Sequence, residues 1–563
     1  MSKKLIFMIS FFILVSMSFS GCQKSDNQSE NQADNQSPAE NIDAEDLSKH
    51  IKVISSDEYE GRGPATAGEG KTTSYIRGEF EKLGLKPGNG ESYFQEVPLV
   101  SLTKDHVTEL VIQAGDKTLS FSYGKECMVS TTREVETVSL TDSEMVFVGY
   151  GIVAPEYGWN DYEGLDVRGK TVVMLVNDPG FATQDPALFN GNAMTYYGRW
   201  SYKYEEAARQ GAEAAFIIHE TKPAAYPWEV VENSWGLPQY GLRTEDKNMS
   251  NCAVEGWFTI DSARKVIEQV GLDFDQLKAG AEKPGFKHVP MGLKASITLK
   301  NSIKEVLSNN VLAVLPGSTQ ADEYIIYMAH WDHLGLNPSL KGDQIYNGAL
   351  DNATGIAGLI ELGEAFSKLP SPPARSIIFL AVTAEEQGLL GSEYFVVNPI
   401  YPLTKMVAAI NMDGLNIYGK MKDITLIGYG NSDLDDYVKS AASGQGRTVR
   451  PDPTPEKGYF YRGDHFSFAK QGVPALWTET GMDHVEHGEE WTKKQNDLYT
   501  ANHYHKPSDE YDPNWDLSGM VEDLQLLFQV GISLGNGDTF PKWKEGTEFK
   551  VKRDKDMEAA VTE

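Results

Sequence analysis

Residues 324–332 read YIIYMAHWD, residues 376–386 read SIIFLAVTAEE and residues 406–413 read MVAAINMD. Each is a continuous apolar run that ends in groups able to bind a metal or move a proton. A run without a polar face must be buried on both sides, which marks a strand inside a parallel sheet. Between and after these runs come the helical pattern IAGLIELGEAF (356–366), the strand ITLIG (424–428), the helix DLDDYVKSAA (433–442) and the strand VPALWT (473–478). Strands alternating with helices predict an α/β fold, a mainly parallel mixed sheet flanked by helices. Open sheets of this kind bind ligands beyond the carboxyl ends of their strands. The candidates for chemistry are therefore His330, Asp332, Glu385, Glu386 and Asp413. Adjacent carboxylates at the end of a buried strand repel each other, and a cation is the simplest compensation. Asp351, in GALDNATG (348–355), and His505, in YHKPSD (504–509), add two more ligand types. Alone, Asp351 reads equally well as a helix cap.

Outward from these runs, the chain of 563 residues has room for several domains and a large core. Its 81 acidic against 51 basic residues give a net charge of −30, which repels phosphate backbones, so nucleic acid is not an expected partner. Residues 1–22, MSKKLIFMISFFILVSMSFSGC, read as a signal peptide. Its end, Ser20-Gly21-Cys22, resembles a bacterial lipobox, which implies a lipidated Cys22 holding the protein to the membrane of the cell envelope; Phe19 departs from the usual Leu. The apolar run is shorter than the ~20 residues that cross a bilayer. Residues 23–42 are polar and predict a disordered tether. The folded part divides into 43–102, with a helix over 73–83; 103–295, an insert opening with short strands; 296–540, the strand and helix repeats; and a charged tail, 541–563, expected to fray. Cys127 and Cys252 are the remaining cysteines, and their spacing leaves pairing open.

These motifs together resemble the M28 zinc peptidases, whose members include bacterial aminopeptidases with two metals bridged by an aspartate. SSDEYEGRGPATAGEGKTTSYIRGEFEKLGL (55–85) is similar to the family's N-terminal helix region, and 296–540 to its catalytic domain. FVGYGIVAPEYGWNDYEGLDVRGKTVVMLVNDPG (147–180) and YKYEEAARQGAEAAFIIHE (202–220) look like the β-rich protease-associated (PA) domain inserted in many members. The resemblance implies two Zn2+ ions, with Asp351 bridging them, His330 and Asp413 completing one ligand set, and Glu386 and His505 the other. It makes Glu385 the general base toward a water molecule, Asp332 the carboxylate that orients His330, and Tyr504 a donor to the oxyanion. The implied activity is that of an aminopeptidase acting on peptide substrates.

Rival readings on the same fold are a one-zinc glutaminyl cyclase and a carboxypeptidase; outside it, a binding protein that has lost its chemistry. The retained Glu385 argues against the last. His333, and the His484 and His487 of HVEH, are further histidines that the family pattern does not require. Arg462-Gly463-Asp464-His465 matches the family's Arg-Ser-Asp-His stretch with Gly463 in place of Ser; Asp464 reads more readily as a helix cap than as a substrate contact. The Arg-Gly-Asp letters there also spell an adhesion tripeptide, a chance match.

Overall fold

The computed structural model describes residues 38–562. The expected leader, Cys22 and most of the tether lie outside the described residues. In the half that carries the motifs, the sheet runs from the edge pair Lys86–Pro87 to the end of the long strand Val289–Leu315, then Arg375–Val382, Gln320–His330, Met406–Asn411, Ala475–Glu479, Asp423–Ile427 and Thr448–Pro451. The three pairings among Arg375–Val382, Gln320–His330, Met406–Asn411 and Ala475–Glu479 are parallel, as is the far-edge pairing of Asp423–Ile427 with Thr448–Pro451, while Asp423–Ile427 runs antiparallel to Ala475–Glu479.

Period-two alternation explains why the strands read as wholly apolar. Ile325, Tyr327 and Ala329 pack into one core with the helices Ala44–Ile54, Thr354–Ser367 and Ser518–Gly535. Ile326 and Met328 point the opposite way, into a second core with Phe395 of the helix Leu390–Val397 and Phe468 of His465–Lys470. Register then fixes where the strands end: His330 pairs with Val382, and Met328 with Asn411. The residues that follow these strands consequently leave the sheet along one edge.

The insert has its own two-faced sheet. Thr171–Leu175 lies parallel to the end of Thr137–Phe147 and to Ala214–His219, which is parallel to Val254–Thr259. Helices Trp200–Arg209, Trp228–Gly236 and Ile260–Glu268 cover it. The expected boundaries at 102/103 and 295/296 both fall inside continuous strands, because Phe94–Val107 and Val289–Leu315 form one antiparallel ribbon running from the peptidase half into the insert. Cys127 and Cys252 are both free and buried. They belong to cores on opposite faces of the insert sheet, and burial pushes the Cys127 thiol up to about 12.

Two expectations need correcting. The end of the expected tether is ordered: Pro38–Asn41 forms a 3-10 turn and Ile42 is buried in the main core. Nor does the tail fray, since Trp543 and Phe549 are buried against Phe460 and Phe466 and anchor the helix Lys550–Thr562. Two aromatic side chains among many charges supply the burial that composition alone concealed. The helix expected over 73–83 runs Ala67–Lys82. No helix among the described residues is long and apolar enough to cross a membrane.

Candidate metal centre

Asp351 lies in an irregular turn, residues 349–353, just before the helix Thr354–Ser367, with φ −108° and ψ 95°. It does not cap that helix. Its two oxygens face two different groups: Oδ1 is 3.3 Å from His330 Nε2, and Oδ2 is 3.3 Å from His505 Nε2. His330 Nε2 is also 3.3 Å from Asp413 Oδ1, and His505 Nε2 is 3.1 Å from Glu386 Oε2. The five expected ligand positions, drawn from five separate chain segments, thus meet around one carboxylate.

The backbone is pinned for this purpose by residues that the sequence reading passed over. Asp509 accepts the amides of Leu350 and Asp351, both at 3.1 Å, which fixes the turn that carries the bridging carboxylate. The buried guanidinium of Arg62 donates to the carbonyls of Trp331, Asn347 and Gly348, tying the His330 loop to the Asp351 turn. Asn352 donates to Met412 O and accepts from the Gly355 and Gly414 amides, so it locks the turn to the strand end before Asp413. Gly348 adopts φ +52°, and a Cβ there would stand 2.2 Å from Asp351 O; only glycine fits.

Asp332 takes a different post from the one expected. Its carboxylate is 3.7 Å from His330 Nδ1, too far for a hydrogen bond, and instead accepts the amides of Glu385 at 3.1 Å and Glu386 at 3.4 Å. His330 Nδ1 is satisfied by the Asp332 carbonyl at 3.1 Å, a contact that leaves Nε2 free to act as a ligand. His333, which the family pattern does not require, enters the site: it is fully buried, its Nδ1 is 2.6 Å from Glu386 Oε1, and its Nε2 has no hydrogen-bond partner among the described residues. His484 and His487 stay outside, stacked on each other and on Trp491. Tyr504 stacks on His505 with ring centroids 3.9 Å apart and is half-exposed at the mouth. Asp464 is fully buried and makes no capping bond to its helix, contrary to its reading as a cap. Burial pushes its carboxyl up to about 7, against the pull of His330.

The electrostatics are those of carboxylates crowded around imidazoles. Burial opposes ionisation of Asp351, but hydrogen bonds from His330 and His505 outweigh it and hold the carboxyl well below its usual value. Glu386 is held at about 2, the charge of His505 overcoming burial. Glu385 goes the other way: burial and the neighbouring Glu386 and Asp413 raise it well above the ordinary range, against the charge of His330. Ligand atoms of His330, Asp351 and Asp413 all lie within 4.8 Å of one another, and so do those of His333, Asp351 and Glu386. This donor set of imidazole nitrogens and carboxylate oxygens fits zinc.

Parts of the chain are similar to known peptidases. The aminopeptidase NAALADL1 of Mus musculus is 34% identical over 138 residues, which is 23% of this chain and 17% of that protein. A probable zinc metalloprotease of Pyrenophora teres f. teres is 36% identical over 104 residues, 18% of this chain and 22% of that protein. The chain thus spans about a fifth of the length of these curated relatives. Among solved structures, the aminopeptidase from Aneurinibacillus sp. strain AM-1 superposes with a TM-score of 0.49 at 20% identity, covering 89% of this chain and 96% of that one. BSAP, a zinc aminopeptidase from Bacillus subtilis, gives a TM-score of 0.41 at 16% identity, covering 90% and 97%. The segment 310–529, which holds every expected ligand, matches the model of peptidase family M28.

Proposed function

We propose that the protein is a zinc-dependent exopeptidase, an aminopeptidase that removes N-terminal residues from peptides. The observation that carries this reading is the division of the Asp351 oxygens between His330 with Asp413 on one side and His505 with Glu386 on the other. Two zinc ions held there would supply Lewis-acid polarisation of the scissile carbonyl and acidify a water molecule.

The chain's own residues do the rest. Glu385, anchored through its amide to Asp332 beside the ligands, would take the proton of the attacking water and return it to the leaving amine. Tyr504, whose ring stacks on His505, would donate a hydrogen bond to the developing oxyanion. Asp332 and Arg62 act on geometry alone, through the backbone. The leader and Cys22 support export and lipid anchoring in the cell envelope. The test is hydrolysis of matched free and N-blocked peptides by zinc-loaded protein: cleavage of the free peptides alone supports an aminopeptidase. Cleavage of both from the C-terminal end makes it a carboxypeptidase, and ring closure of N-terminal Gln a cyclase.

A further inference from the structure

The helices Ala44–Ile54 and Thr354–Ser367 pack against each other in the main core, and three carboxylates converge where they meet. Asp46 comes from the first turn of the former, Glu361 and Glu364 from adjacent turns of the latter, and carboxylate oxygens of all three lie within 4.8 Å of one another. The cluster stands about two turns along its helix from the Asp351 end and shares no residue with the metal centre.

Taken singly, two of the three are ordinary. Asp46 lies at the positive end of its helix and pairs with Lys49 at 3.3 Å, and Glu364 pairs with Lys368; both lysines reach into solvent. Neither account covers Glu361. It is fully buried, and neither Oε1 nor Oε2 has a hydrogen-bond partner among the described residues. The basic group that approaches it is His50, whose Nε2 stands 3.7 Å from Glu361 Oε1, beyond hydrogen-bond length. His50 Nδ1 is 2.6 Å from the Tyr75 hydroxyl, and burial lowers the proton affinity of this imidazole, so it brings no charge to Glu361. Other buried carboxylates away from the metal centre have what Glu361 lacks: Asp523 pairs with Arg447 and Asp423 with Arg450, each at 2.6 Å, and Glu69 accepts from Ser308, Asn309 and the Ala65 amide.

Burial first, and then the charges of Glu364 and Asp46, push the Glu361 carboxyl up to about 8, against the pull of the Asp43 amide, which makes no hydrogen bond to it. Such a group must take up a proton or a cation. Three carboxylates from two helices, aimed at one point, favour the cation. The donors also select its kind. They are oxygens only, with no imidazole or thiolate in the set, and Asp46 is open enough to solvent for waters to complete the shell, which is the ligand pattern of calcium rather than zinc.

We propose that Asp46, Glu361 and Glu364 bind a calcium-type divalent cation that clamps the helix Ala44–Ile54 to the helix that follows the Asp351 turn. The site is separate from the zinc centre and does not depend on the peptidase reading.

The test is titration of calcium chloride into the zinc-loaded, dialysed protein, with binding followed by calorimetry and stability by the melting temperature. One Ca2+ per chain should bind in addition to the zinc, and at a hundred times its Kd it should raise the melting temperature by roughly 2–3 °C, the scale for a chain of this length. Glu361→Gln keeps the shape and removes the charge. It should weaken calcium binding by roughly tenfold or more and remove the rise in melting temperature, while zinc content stays at the wild-type level. A wild type that does not respond to calcium, the result if Glu361 merely holds a proton, overturns the site, and so does a Glu361→Gln variant that binds calcium like wild type. Calcium that displaces zinc instead of adding to it belongs to the metal centre and likewise overturns the proposal. Should Glu361→Gln not fold, Asp46→Asn changes a partly exposed side chain and should lose calcium affinity to the same degree; equality with wild type overturns it.

Discussion

Glu385 and Glu386 are neighbours in sequence, but the structure gives them opposite surroundings, and exchanging each carboxylate for its amide separates their roles. Among the described residues the Glu385 side chain has no hydrogen-bond partner, while its backbone is held: the amide is 3.1 Å from Asp332 Oδ1, and the carbonyl accepts from the Gly388 and Leu389 amides at 2.8 and 2.9 Å. Glu385→Gln therefore keeps the shape of the turn and removes only a proton acceptor. The Glu386 carboxylate is 2.6 Å from His333 Nδ1 and 3.1 Å from His505 Nε2, so Glu386→Gln removes a negative charge that faces two imidazoles. A general base contributes roughly 10²–10⁴-fold to rate. At about 1.36 kcal/mol per factor of ten, its loss raises the barrier by about 3–5 kcal/mol. Glu385→Gln should thus retain its zinc and lose at least roughly a hundredfold in kcat, whereas Glu386→Gln should lose part of its zinc. The assay is turnover on a free peptide together with metal analysis of both dialysed variants. Near-normal turnover by Glu385→Gln refutes the general-base mechanism. Loss of zinc by Glu385→Gln with retention by Glu386→Gln reverses the two assignments.

Acid stability should carry the signature of His465. It is fully buried against Phe460 and Trp477, and burial lowers it from 6.5 to about 3. The unfolded chain binds this proton first, so the contribution is fully present above about pH 6.5 and is lost as pH falls toward 3. His465→Phe should flatten the fall of the melting temperature across that window; an unchanged slope removes His465 from the account. Cys22→Ser should release the protein from the membrane fraction or block its processing, since lipidation needs the thiol, and partitioning like wild type would exclude the lipid anchor.

The sheet and the convergence of the site were legible because each strand is buried on both faces and ends in a chemically distinctive residue. His330, Glu386 and Asp413 follow strands whose register brings their ends together. What escaped the sequence works through backbone contacts between distant segments. Arg62 reaches carbonyls 269 to 286 residues away, and Asp509 holds an amide 158 residues away. No local pattern encodes such pairings. His333 was set aside because spacing alone does not reveal that its ring turns inward, and Asp332 stands two residues from His330 but spends its carboxylate on the Glu385 turn.

The central claim is that one carboxylate, Asp351, joins two metal sites. Its most direct test is zinc stoichiometry in wild type, Asp351→Ala and Asp413→Ala after dialysis against zinc-free buffer. The account predicts two zinc ions per wild-type chain, the loss of both in Asp351→Ala, and the loss of one set only in Asp413→Ala. Active wild-type protein without zinc or another divalent metal, or an Asp351→Ala variant with the wild-type metal content, would contradict it.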